Sequence, residues 1–99
     1  MARLVVSPEA HGDLVAIIEL LTEKAGAPVA QRYRRDLERL MDRISDFPAS
    51  GASRPSLGDG VRIGVVTPYV LIYQTRDETV RVLRVLDGRR DLPSRVRSP

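Results

Sequence analysis

The sequence predicts an α+β fold: an N-terminal strand and an antiparallel helix pair packed on one face of a three- to four-stranded, mainly antiparallel sheet. Three observations lead there. The first half carries two long segments with apolar residues every three to four positions, which is helical spacing. The second half carries three short runs rich in β-branched residues, separated by links too short for crossover helices. Neither helix stripe can be buried by its partner alone, and the sheet needs one face covered, so the two layers pack together.

Residues 2–6 read as a short strand at or near a sheet edge. Ser7-Pro8-Glu9 is a helix start, with serine as N-cap, proline at the first position and an acid in the first turn. Ala10, Leu14, Ile17, Ile18 and Leu21 make its buried stripe, with Asp13, Glu19 and Glu23 assigned to the opposite side. Gly26 closes this helix and Pro28 opens the next, a connection short enough to demand antiparallel packing. The second stripe is Val29, Tyr33, Leu37, Leu40, Met41 and Ile44, and Phe47-Pro48 ends the helix because a residue before proline resists the α conformation.

Residues 48–60 form the one long loop, with Arg54 in its middle and Leu57 expected to anchor it to the core. Strands follow at residues 61–66, 69–75 and 79–86, separated by Thr67-Pro68 and by an Arg76-Asp77-Glu78 hairpin turn. The last run is interrupted only by Arg81 and Arg84, and reads as a strand covered on both faces. Period-two counting gives those arginines opposite parity, so their faces depend on register. The Asp87-Gly88 pair stops the strand and delivers Arg89 and Arg90 to the surface. Residues 1–99 are expected to form a single domain with a loose tail from about residue 92.

Composition narrows the function. Hydrophobic residues make up 42% and charged residues 29%, ordinary for a soluble domain, and no apolar run approaches the ~20 residues that cross a bilayer. Cysteine is absent, which excludes disulfides, thiolate metal sites and a cysteine nucleophile; with no secretory leader evident, the expected location is cytoplasmic. Residues 1–50 hold seven basic and eight acidic side chains, whereas residues 51–99 hold nine arginines against five acids. The second half is therefore suited to phosphate or to an acidic partner, since the guanidinium fork engages both bidentately. The lone histidine, His11, has no serine or acid placed to form a triad, and no spacing selects a metal set. No catalytic residue, cofactor site or metal site is assigned. The candidate target-binding residues are Arg54, Arg62, Arg84, Arg89 and Arg90.

One ordered set of motifs runs through residues 3 to 91. It comprises Ala10, Asp13-Leu14 and Ile17; Gly26; Ala30, Tyr33 and Leu37; and Phe47-Pro48, Gly51, Arg54, Leu57 and Gly60-Val61-Arg62. It closes with Tyr69, Ile72-Tyr73 and the run from Val82 to Asp91. This set resembles the RelE/ParE toxin superfamily. The resemblance implies a small α+β toxin of a type II toxin-antitoxin module such as those of plasmid stabilization. Its partner would be a cognate antitoxin from an adjacent gene, whose acidic, amphipathic C-terminal segment wraps and neutralises it in a hetero-oligomer. RelE-like members are ribosome-dependent mRNA endoribonucleases, whereas ParE-like members inhibit DNA gyrase by binding. RelE-like nucleases place a tyrosine or histidine near the C-terminal end, where this chain has Asp87-Gly88-Arg89-Arg90-Asp91. Arginine holds phosphate but is a poor proton carrier. The resemblance is therefore closer to the ParE-like, non-enzymatic branch, with the ribonuclease as the alternative. ParE-like chains often carry histidine where Asp87 stands, so this chain changes the charge at that position.

Overall fold

The computed structural model describes residues 2–89; Arg90 and the tail expected from about residue 92 lie outside the described residues. The elements in chain order are β1 (Arg3–Val6), α1 (Pro8–Ala25), α2 (Ala27–Asp46), β2 (Ala52–Ser53), a 3₁₀ turn (Pro55–Leu57), β3 (Val61–Val66), β4 (Tyr69–Arg76) and β5 (Thr79–Asp87). The sheet order is β1-β5-β4-β3-β2, with β1 parallel to β5 and every other pair antiparallel.

The α+β architecture is as the sequence predicts, with one correction. The sheet has five strands rather than three or four, because Ala52-Ser53 pairs with Ile63 and Arg62 at the edge of β3. Two residues in a glycine-, serine- and proline-rich loop carry no period-two pattern, so only their partner strand makes them a strand. The expected 13-residue loop is thus divided, and Leu57 anchors it as anticipated, only 6% exposed.

Both helices lie on one face. Ala10 of α1 and Leu37, Leu40 and Ile44 of α2 pack on Tyr69, Leu71, Tyr73, Val80, Val82 and Val85. Gly64 is part of this fit, since a Cβ there would press into Leu40. The other face holds a smaller cluster in which Leu57 packs on Val61, Ile72 and Leu83.

Register resolves the arginine parity. Tyr73 pairs with Val82 and Ile72 with Arg84, so Leu83 is an inserted residue in β5. Arg81, opposite Gln74, and Arg84, opposite Ile72, are thereby brought to the same side of the sheet, away from the helices. Arg62 pairs with Tyr73 and belongs to the helix side.

The pairing of β1 with β5 ends at Val6 and Val82, leaving the rest of that edge of β5 without a strand. The start of α1 takes over. The Ser7 backbone N–H donates to the Val82 carbonyl at 2.9 Å, and the Ser7 hydroxyl donates to the Leu83 carbonyl at 2.9 Å. Asp13 Oδ2 accepts from the Val85 N–H at 3.0 Å. A covered edge offers no template for another chain.

Candidate functional site

The structure spreads the four described candidate arginines over three places. Arg54 is exposed in the loop and its Nη1 donates to the Ser53 carbonyl at 2.9 Å. Arg62 holds the loop that follows α2, donating from Nη1 to the Gly51 carbonyl at 2.8 Å and the Ala49 carbonyl at 3.3 Å. Arg84 makes a bidentate pair with Asp13, Nε to Oδ2 at 2.7 Å and Nη2 to Oδ1 at 3.0 Å. The hydrogen bond from Asp13 raises the Arg84 pKa further above its ordinary value, with burial opposing. Asp13 therefore faces β5 and not solvent, which corrects the helical-wheel assignment. Its three accepted hydrogen bonds make Arg84 a structural side chain first.

Arg89 stands where β5 leaves the sheet. Its side chain is 74% exposed and gripped by Asp87, with Nε to Oδ1 at 3.0 Å and Nη2 to Oδ2 at 2.6 Å. The Arg89 N–H also donates to Asp87 Oδ1 at 2.9 Å, closing a local turn. Tyr69 pairs with Asp87 in the ladder, and its ring meets that of Tyr33 edge-to-face, centroids 5.7 Å apart. This corner gathers a guanidinium, a carboxylate and two phenols that sequence spacing alone does not connect.

The electrostatics of the corner disfavour proton transfer. Burial raises the pKa of the Tyr69 phenol above its ordinary value, Asp87 and Tyr33 push it the same way, and Arg89 opposes them weakly. Hydrogen bonding to Asp87 raises the pKa of Arg89. A phenol held protonated is a poor general base near neutral pH, and a guanidinium held charged is a poor general acid. Tyr73 is also committed: fully buried, it donates to the Pro48 carbonyl and accepts from the Gly51 N–H, each at 2.9 Å. His11 lies elsewhere, lining the helix groove. Among the described residues no three His, Cys, Asp or Glu side chains gather as a metal site.

That groove, about 340 Å³, runs between the outer faces of α1 and α2. Leu14, Val15, Ile18, Leu37 and Met41 form its apolar floor, and His11, Glu19, Arg34 and Glu38 its polar lining. Val15 is 44% exposed. Among the described residues no helix is long and apolar enough to cross a membrane.

Comparison with known proteins agrees with this architecture. The chain is 32% identical over 96 residues to Toxin ParE3 of Caulobacter vibrioides, covering 97% of this chain and 96% of that one. It is 29% identical over 92 residues to Toxin ParE1 of Mycobacterium tuberculosis, covering 92% and 94%. A chain of the chromosomal ParDE TA system from P. aeruginosa superposes with a TM-score of 0.73 at 24% identity, over 86% of this chain and 94% of that one, a likeness of fold. The model of the ParE toxin of the type II toxin-antitoxin system parDE matches residues 4–92, and the chain belongs to that family.

Proposed function

We propose that this protein is a toxin that acts in the cytoplasm by binding DNA gyrase, without chemistry of its own, and that a cognate antitoxin neutralises it. The observation that carries the reading is the corner at the end of β5. An exposed Arg89 guanidinium stands beside a phenol that burial and Asp87 keep protonated. Such a corner suits recognition of an anionic surface better than removal of a 2′-hydroxyl proton.

The antitoxin fits the helix groove. Its apolar floor suits one face of an amphipathic helix, as in other helix-in-groove pairings. The polar lining holds Glu19 and Glu38 against Arg34, so the acidic part of the antitoxin is better matched to the arginine-bearing sheet. An occupant meeting both surfaces has an apolar segment and an acidic one.

Purified toxin is expected to inhibit gyrase supercoiling, with Arg89→Ala raising the concentration needed about tenfold, the loss typical of one interfacial arginine. Unimpaired supercoiling at high toxin concentration refutes the reading. Codon-positioned cuts in translated message would assign the ribonuclease alternative instead.

A further inference from the structure

The face of the sheet away from the helices carries an arginine group outside the corner just described. Arg3 of β1 pairs with Thr79 of β5, and Thr79 pairs with Arg76 of β4, which sets these three residues in one row. The next row on that face is Val5, Arg81 and Gln74. The assignment follows from the packing: Leu4, Val80, Val82, Tyr73 and Leu71 belong to the helix-side core, and their neighbours in alternation face the other way. Arg54 lies at the far end of the second row, its N–H bonded to the Val61 carbonyl, with Val61 opposite Gln74.

Arg3 and Arg76 are exposed and Arg81 is half-buried. Among the described residues no carboxylate pairs with any of the three; the ion pairs formed are those of Arg34, Arg84 and Arg89. Strands lie roughly 4.8 Å apart and alternate residues about 6.8 Å apart along a strand, so the three guanidinium groups span a single small patch. Asp77 and Glu78 in the β4–β5 turn and Asp59 in the loop border it.

We propose that this arginine patch is a contact surface for the phosphate backbone of duplex DNA. Unpaired arginines within reach of one another are the electrostatic footprint of backbone binding. A protein partner would need an apolar or aromatic anchor at the centre of the contact, and this half of the face offers only half-buried Val5. A single strand would need rings on which bases stack, and all three tyrosines belong to the helix side. The choice of DNA over an RNA duplex rests on the gyrase reading; backbone binding itself does not. The bordering acids keep the affinity in the weak, sequence-independent range of about 10⁻⁴–10⁻⁶ M.

The test is fluorescence anisotropy of the purified protein with a labelled 20-base-pair DNA duplex from ~50 to 200 mM salt. The Arg3→Gln/Arg76→Gln/Arg81→Gln triple variant is expected to lose at least ~tenfold in affinity, and its log–log salt slope to flatten by about 2. Asp77→Asn/Glu78→Gln is expected to tighten binding severalfold. A control triple on the exposed surface of α2, Arg32→Gln/Arg35→Gln/Arg39→Gln, makes the same change in net charge and is expected to cost far less. Equal losses in both triples, no binding by the unsubstituted protein, or preference for single-stranded RNA or polyglutamate each overturn the proposal. Equal binding of an RNA duplex overturns the DNA assignment. Supercoiling inhibition by the first triple reports on the gyrase reading separately.

Discussion

Tyr69 shows how one side chain takes its chemistry from neighbours far away in sequence. Its ring is 6% exposed, packed against Tyr33 of α2 and laddered to Asp87 of β5. Burial and the nearby carboxylate both favour the neutral phenol, so its pKa in the folded state lies above the unfolded value of about 10. The stability this contributes is fully present below that unfolded value and is lost as pH rises through the higher folded one. Tyr69→Phe is therefore expected to leave stability at pH 8 within about 1 kcal/mol of the parent, since the phenol has no hydrogen-bond partner among the described residues. Between about pH 9 and 11 its urea midpoint should fall less steeply than that of the unsubstituted protein. Parallel declines would remove Tyr69 from the account.

At the scale of elements, the junction of β1, α1 and β5 is where local and tertiary demands meet. Ser7 caps α1 by accepting from the Ala10 N–H at 3.0 Å and also donates to the Leu83 carbonyl. The cap was legible from Ser7-Pro8-Glu9; the second bond was not, because it joins residues 76 apart in sequence. Ser7→Ala removes both and leaves a buried carbonyl unsatisfied, so a loss of about 1–3 kcal/mol is expected from chemical denaturation. A change below ~0.5 kcal/mol would mean that water replaces both bonds. Asp13 makes the same point: helical periodicity puts it opposite the apolar stripe, but β1 ends early and the exposed edge of β5 needs an acceptor there. The inserted Leu83 is likewise invisible to period-two counting. It shifts Arg84 to the side of Arg81, and no single-strand pattern records a shift defined by the neighbouring strand.

Across the whole molecule, apolar and basic surfaces are separated. The groove lies on the outer helix faces, Arg89 at the end of β5, and Arg3, Arg76 and Arg81 on the opposite side of the sheet. Separation of this kind lets different substitutions act on different partners. Val15→Lys places a charge on the groove floor at a residue already 44% exposed, so stability should change by less than about 0.5 kcal/mol. Binding of the adjacent-gene antitoxin, measured by calorimetry, should weaken at least ~tenfold, while duplex DNA binding should be undiminished. Undiminished antitoxin binding would place that partner elsewhere.

The sequence by itself determined the elements and the side of each helix that is buried, because periodicity, capping residues and turn residues act within a few positions along the chain. It also determined the family, through an ordered set of motifs spread over most of the chain. Only the tertiary structure decided which arginines are engaged internally and which face outward, that a phenol stands beside the strand exit, and that a two-residue strand completes the sheet. Those features depend on where one strand stops relative to another and on which carboxylate comes within hydrogen-bonding distance. Register and charge pairing are properties of contacts between distant segments, and no single segment encodes them.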